Sequence, residues 1–394
     1  MNYVLVKLPN WLGDAVMLTP TISLLHTIYP QAKLVLVGNA LSTSIFTTND
    51  FIIKIFIDKS KEQRGFFKRL KATKKLAYDI NLYLKEQNIL QFDYAITTQN
   101  NFFSAFLLSK IFTRYSVGYG DKHFLGLRQF LLSNIIKFSS SRSPVCKHQV
   151  LSYVNLLLAV LPPDFFKKIL ESTTIDSIKK HPNYNPNASL VQNVLFTQTP
   201  ELMLFTQITT KKPFDKKIVA ISPGASYGIS KMWLPQYFTE IIISFVKKGY
   251  SVRIYGAKSE LKHNNTIYEN AVKMLPLESP IENLSGKTNL QELINSLYEC
   301  SLYIGNDSGT THIAKALKIP SVIIFGSMPF AWCSPWSICT IKKQEEYYYI
   351  DNTIAVQKHL PCVPCKKKIC PLQHHNCMKL ITPDEILNLA LSLQ

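Results

Sequence analysis

The strongest constraint on this chain is a pattern that occurs twice: short apolar strands, loops of small residues, then helices. The first strand is Tyr3 to Leu8, YVLVKL, bounded by Pro9. The loop Pro9-Asn10-Trp11-Leu12-Gly13-Asp14 follows. A helix is expected to begin near Ala15 or at Thr19, where Thr19-Pro20 has the form of an N-cap and a first-turn proline. Strands at Lys33 to Val37 and Asp93 to Thr98 continue the alternation. The pattern restarts at Lys217 to Ser222, KIVAIS, which runs into Pro223-Gly224-Ala225-Ser226. Helix 235–248 stops at Gly249, strand 250–255 ends at Gly256, and helix 289–299 leads to strand 301–305. Then come Asn306-Asp307-Ser308-Gly309-Thr310-Thr311-His312, a short helix, and strand 320–325. Apolar strands separated by helices belong to parallel sheets covered on both faces. The expected fold class is therefore α/β, two doubly wound domains with ligands at the carboxyl ends of the strands, in the cleft between them.

The stretch between the blocks is rich in Asn, Thr, Pro and Lys and weak in periodicity. The domain expectation is a first domain over 1–175, a junction over 176–216, a second domain over 217–382, and a last helix over 383–394. No apolar run reaches the roughly 18 residues of a spanning helix. The first residues lack a basic segment followed by a long apolar core, so no secretory leader is expected and a cytoplasmic setting is the default.

Charge narrows the partners. Lys and Arg number 44 against 26 Asp and Glu, a net +18, which calls for a nucleic acid, an acidic membrane or a phosphorylated substrate, unless it is only a solvated surface. Residues 59–85 hold nine of the cations and two acids. Phe66, Leu70, Thr73, Ala77, Ile80 and Leu84 recur there at helical spacing, as in a basic amphipathic helix. Such a helix either lies on an anionic surface or covers a core with its lysines in water.

The loops of the second block carry the sharper chemistry. Both strand–Pro-Gly-Ala-Ser and strand–Asn-Asp-Ser-Gly-Thr turn into helices, whose free N–H groups favour phosphate. Neither is a Walker loop and GxGxxG is absent. Taken residue by residue, ordinary roles stay open. Asp14, Asp307 and Ser308 could each be an N-cap, and Lys231 an exposed lysine.

Taken together, the segments resemble the lipopolysaccharide heptosyltransferases of glycosyltransferase family 9, within them the heptosyltransferase II group. The resemblance is carried by VLVKLPNWLGDAVMLTP, DYAITTQNNFFSAFLL, ISPGASYGISKMWLPQYF, NLSGKTNLQELINSL, YIGNDSGTTHIAKAL and CVPCKKKICPLQHHNCM, nearly end to end. It implies the GT-B fold, two Rossmann-like domains facing a central cleft. It also implies inverting, metal-independent transfer of heptose from ADP-heptose to the phosphorylated inner core of lipopolysaccharide. Asp14 matches the general base, and Lys231 the cation that offsets charge on departing ADP. Ser222, Gly224 and Ala225 match the donor loop, and Glu260 an acid near the nucleoside. Asp307 matches a residue contacting the sugar. Ser308, Gly309 and Thr310 match the phosphate-binding helix start, with His312 in the same motif as a donor-site or structural residue. The basic helix, with Lys68, Arg69 and Lys71, falls on the acceptor side, where the lipid A–core acceptor and the anionic inner face of the cytoplasmic membrane would meet it. In GT-B proteins the last helix commonly crosses back to the first domain, so 383–394 is an expected cross-over.

Cys362, Cys365, Cys370 and Cys377 form C-x2-C-x4-C-x6-C around His374 and His375. The spacing fits a structural zinc or iron–sulfur nest, or a reduced loop. Cys146, Cys300, Cys333 and Cys339 read as isolated buried thiols. Two rival functions remain: heptosyltransferase I or another family 9 transferase with a different core acceptor, and, from another class, a basic zinc-containing nucleic-acid-binding protein. The second leaves Asp14 and the paired loops unexplained, so nucleic acid is not an expected partner.

Overall fold

A computed structural model of the chain describes residues 1–120, 128–136, 148–210 and 217–394. It divides into two compact units, Met1–Pro200 and Glu201–Gln394. The first holds strands β1 (Tyr3–Lys7), β2 (Lys33–Gly38), β3 (Ile52–Ile57), β4 (Phe92–Thr97), β5 (Thr113–Tyr119) and β6 (Asn134–Ile136). They pair in the order β3-β2-β1-β4-β5-β6, every neighbour parallel. This is the doubly wound order, and its reversal point lies between β1 and β4. Val4, Leu5 and Val6 are buried because β1 is covered on both faces.

The first helix, Leu12–Ile28, starts earlier than its sequence suggested and carries Pro20 in its interior. Thr19-Pro20 is not a cap. Proline cannot donate to the carbonyl four residues back, and the Thr19 hydroxyl donates to that orphaned Val16 oxygen at 2.7 Å. The helix is thereby repaired rather than begun.

The second unit holds β7 (Ile218–Ser222), β8 (Ser251–Ile254), β9 (Ile281–Asn283), β10 (Leu302–Asn306), β11 (Ser321–Phe325), β12 (Lys342–Gln344), β13 (Tyr347–Ile350) and β14 (Thr353–Gln357). Their order is β12-β13-β14-β11-β10-β7-β8-β9. From β9 to β14 this repeats the doubly wound order, with its reversal between β7 and β10. The antiparallel β12–β13 extension was not anticipated. Trp233, Phe238 and Phe245 fill the core beside β7 and β8.

Of the junction, helices Ile175–Lys180 and Leu190–Thr197 belong to the first unit, the latter closed by a Ser189/Gln192 capping box. Thr206 and Thr210 bond Gln291 and Asn295 of the second unit; 211–216 lie outside the described residues. In the last helix, Pro383–Leu391, Ile386 and Ala390 join the second unit's core, and Glu385 takes bonds from Tyr347 and Lys358. Its apolar face is thus used within its own unit.

Replacing Thr19 by Val keeps shape but strips the Val16 carbonyl of its donor. Denaturant unfolding of the first unit should show a loss of about 1–3 kcal/mol; an unchanged midpoint would show that the hydroxyl does not repair the helix.

Candidate active site

In each unit the reversal of strand order opens the sheet at its carboxyl edge, and the residues of interest lie there. In the first unit, β1 delivers the loop that leads to Asp14, in the first turn of Leu12–Ile28. Asp14 is half-buried. Burial, and then the Asp14 charge, hold the neighbouring Tyr153 phenol well above its ordinary pKa. The loop is pinned from β4: Thr98 Oγ1 donates to Lys7 O at 2.9 Å and Gln99 Nε2 to Leu8 O at 2.5 Å. Arg128, buried, donates in turn to Gln99 O at 2.7 Å. Gln99 lies inside the quoted DYAITTQNNFF segment but was not singled out; no local pattern marks Arg128.

A cationic group stands on the same edge. Lys7, buried at the end of β1, pairs with Asp58. Burial lowers the Lys7 pKa against the pull of Asp58, and Lys61 and Arg69 lower it further. Asp58 is pushed up by burial, but Lys7 and bonds from Ser60 outweigh this and leave it below the usual carboxylate range. The three acceptor-side candidates are not equivalent. Lys68 and Lys71 are exposed, whereas Arg69 is half-buried, its guanidinium 3.9 Å from the Phe103 ring centre. Arg69 Nε is buried without a hydrogen-bond partner among the described residues.

The second unit gathers the donor-side candidates. Ser222 and Ala225 are buried at the end of β7. A Cβ on Gly224 would fall 2.2 Å from the Glu260 carboxyl carbon, so only glycine admits that side chain. Glu260 Oε2 accepts from Ala257 N at 2.8 Å, and burial raises its pKa. The close approach to Gly224 accounts for the position of Glu260. Asn306, at the end of β10, donates to Pro223 O at 2.6 Å and accepts from Trp233 N at 3.0 Å. It locks the two loops together.

Lys231 and Asp307 then meet in a nearly buried ion pair at 2.5 Å. Cys333 Sγ also donates to Asp307, at 3.3 Å. Ser308 precedes the helix Gly309–Ala316, whose first turn holds Thr310 and His312. His312 is fully enclosed, and its Nδ1 has no partner among the described residues. Burial drops its pKa to about 4, Asp307 opposing and Lys231 adding to the fall. The arrangement can hold an anion at a helix start beside a lysine whose charge is shared with a carboxylate.

The family 9 domain described as glycosyltransferase family 9 (heptosyltransferase) matches residues 84–375. The chain belongs to glycosyltransferase family 9. It is a glycosyltransferase, and its two units have the α/β architecture of the GT-B class. A lipooligosaccharide heptosyltransferase 2 of Campylobacter jejuni is 27% identical over 395 residues, covering 99% of this chain and 98% of that one. The solved E. coli ADP-heptose lps heptosyltransferase II is similar at TM-score 0.70 and 19% identity, covering 100% and 98% of the two chains. An E. coli heptosyltransferase, WaaC, with ADP-2-deoxy-2-fluoro heptose, is similar at TM-score 0.62 and 14% identity, covering all of both.

This family 9 chain carries a cysteine strap directly behind Lys231. Cys362, Cys365, Cys370 and Cys377 line one cavity with Ser230, His374 and His375. Burial, then the other three thiols, push Cys377 up to about 11. Yet among the described residues no group of three or more His, Cys, Asp or Glu is arranged to hold a metal ion. The nest spacing thus converges on one cavity. What the strap does is grip: Ser230 N donates to Lys368 O at 3.1 Å, and Tyr227 Oη to Lys366 O at 2.8 Å. The isolated thiols differ from expectation. Cys300 is buried, Cys333 half-buried and Cys339 exposed, because Cys339 follows the short helix in a surface turn. Cys146 lies outside the described residues.

His312 gives this unit an acid sensitivity. Its pKa falls from 6.5 to about 4 on folding, so the unfolded chain binds the extra proton. Stability is full above about pH 6.5 and declines toward about pH 4, by about 3 kcal/mol. In His312→Gln the decline in melting temperature across that window should shrink; the same decline as in the parent would assign it elsewhere.

Proposed function

We propose that this chain is an inverting heptosyltransferase of the heptosyltransferase II type, moving heptose from ADP-L-glycero-D-manno-heptose to the inner core of lipopolysaccharide. The observation that carries the reading is the buried Lys231–Asp307 pair beside the helix start at Gly309, in a chain of this family. A nucleoside diphosphate leaving group needs a cation and N–H donors held rigidly before the bond breaks, which such a pair provides. The names of the relatives, heptosyltransferase 2 among curated proteins and heptosyltransferase II among solved ones, favour this donor and acceptor.

In the proposed step, Asp14 accepts the proton of an acceptor hydroxyl as its oxygen bonds the anomeric carbon. The bond from that carbon to the phosphate oxygen breaks on the opposite face, and its electron pair leaves with ADP. Lys231 offsets the charge that grows on the diphosphate, and no metal is required. Asp307, bonded to Lys231 and Cys333 through Oδ2, aims the ammonium, and its Oδ1 would meet the sugar. Glu260 stands over Gly224 and Gly256, placed to accept from ribose hydroxyls. Ser222 and Ala225 line the nucleotide's path. Arg69 with Lys7 and Lys61, and Lys68 and Lys71 at the rim, would receive the phosphorylated acceptor. The protein would act as a peripheral enzyme on the cytoplasmic face of the inner membrane; among the described residues no helix is long and apolar enough to cross a membrane.

Purified protein given ADP-heptose and heptose-deficient lipopolysaccharide of increasing core length should release ADP only with acceptors that already carry the first heptose. Release with the heptose-free core would instead assign the heptosyltransferase I acceptor, and none with any core would refute the transfer. Asp14→Asn should bind ADP as the parent does and lose about 10²–10⁴-fold in kcat. Lys231→Ala should weaken ADP binding and slow turnover together; normal ADP binding would remove it from the donor site.

A further inference from the structure

Beside the basic residues given to the acceptor, the start of the helix Phe66–Glu86 carries exposed aromatic rings that the proposed transfer does not use. Phe67 is 81% exposed and Phe66 46%. Phe66 lies 5.4 Å from Phe103 and 5.9 Å from Phe102, ring centre to ring centre, so the start of this helix and the start of Phe102–Leu108 share one aromatic cluster. Phe130, 85% exposed, adds a further ring in a segment that packs on Phe102–Leu108. Exposed aromatics gathered in this way mark an interaction site on a protein surface.

The charges around the cluster say what it meets. Residues 59–78 hold eight cations, Lys59, Lys61, Arg64, Lys68, Arg69, Lys71, Lys74 and Lys75, and one acid, Glu62. Five of them sit in the first half of Phe66–Glu86, and no acid lies in its first turn. That placement opposes the helix macrodipole, which favours anions at an N-terminus. Lys75 pairs with Asp79 one turn on, but Lys68 and Arg69 in the first turn run against the dipole, and the helix's burial comes from Thr73, Leu76, Ala77, Ile80 and Leu84. Position adds the direction. In a parallel sheet every helix begins at the carboxyl edge, so Phe66, Phe102 and Asp14 all stand on one edge of the first unit.

We infer that this aromatic tip within a basic field is a docking surface for an anionic lipid bilayer. Phe66 and Phe67 enter the headgroup boundary, the lysines bind the anionic headgroups, and Asp14's edge of the sheet is turned toward a lipid-anchored acceptor. Rings supply the apolar insertion and lysines the electrostatic attraction, the two terms that hold an amphipathic surface to a membrane. The last part rests on the proposed acceptor.

The probe is full-length protein with phosphatidylglycerol-rich vesicles against pure phosphatidylcholine. Phe67→Trp should show a blue-shifted emission with the anionic vesicles, quenched by lipids brominated on their acyl chains. Phe66→Ser/Phe67→Ser should bind those vesicles about ten-fold more weakly. It should transfer heptose normally to an acceptor stripped of its acyl chains and poorly to the same acceptor in vesicles. Unshifted Phe67→Trp emission or undiminished vesicle binding by the double variant would overturn the inference. So would a changed oligomeric state in the double variant with vesicle binding intact, which would make the patch a contact between copies. Absence of any transfer by the parent would refute the heptosyltransferase reading alone, since vesicle binding is read separately.

Discussion

Everything chemical in this chain depends on the right-handed return of parallel strands. Each strand must leave the sheet at its carboxyl end and come back through a helix, so loops and helix starts collect on one edge. Where the strand order reverses, two neighbouring loops diverge instead of crossing, and that gap falls beside β1 and β4 in one unit and β7 and β10 in the other. The apolar residues of β1, β7, β10 and β11 are the price of this arrangement: all four strands are buried almost throughout, so polar function is confined to their ends. Lys7 and Asn306 are such ends.

Each edge contains a lysine and an aspartate removed from water, Lys7 with Asp58 and Lys231 with Asp307. A buried pair is weak evidence of stability, because desolvation offsets most of the attraction. Both pairs lie instead where the loops open, and both lysines have further cationic or anionic neighbours: Lys61 and Arg69 around the first, Asp307 shared with Cys333 in the second. A pre-paired lysine is held in one rotamer and is still able to meet a phosphate, which is how a rigid cation can be presented without ordering cost at the moment of binding.

The alternation of strands and helices was legible because β-branched runs bounded by Gly or Pro have few other readings. So were the paired loops, since small residues after a strand leave the backbone open. Three features were not. Thr19-Pro20 has the composition of a helix start, and only the hydroxyl bond to Val16 reveals an interior repair. Lys342 to Gln344 is charged and exposed, so β12 exists through pairing with β13 rather than through its own sequence. Arg128 acts from beyond β5 through bonds to Gln99 O and Asn100 Oδ1, and such long-range partners leave no local trace. Among the candidate site residues, Lys231 and Asp307 stand in separate loops of the sequence, and their contact, 76 residues apart by number, leaves no mark there.

Spacing alone says least at the cysteine strap. C-x2-C-x4-C-x6-C describes how thiols are distributed along the chain, while metal binding depends on where the sulfurs converge. Here the backbone between the thiols does the visible structural work. The carbonyls of Lys366, Lys367 and Lys368 accept from Tyr227 and Ser230, and a Cβ on Gly228 would fall 2.5 Å from Lys368 O. Carbonyl acceptors are indifferent to the side chains that carry them, so three lysines can brace the loop through their backbone while Lys366 Nζ lies 4.3 Å from the Trp332 ring centre. Lys231 follows Ser230 directly. The strap is, physically, the rear wall of the Lys231 loop, and its cysteines line the cavity between wall and loop.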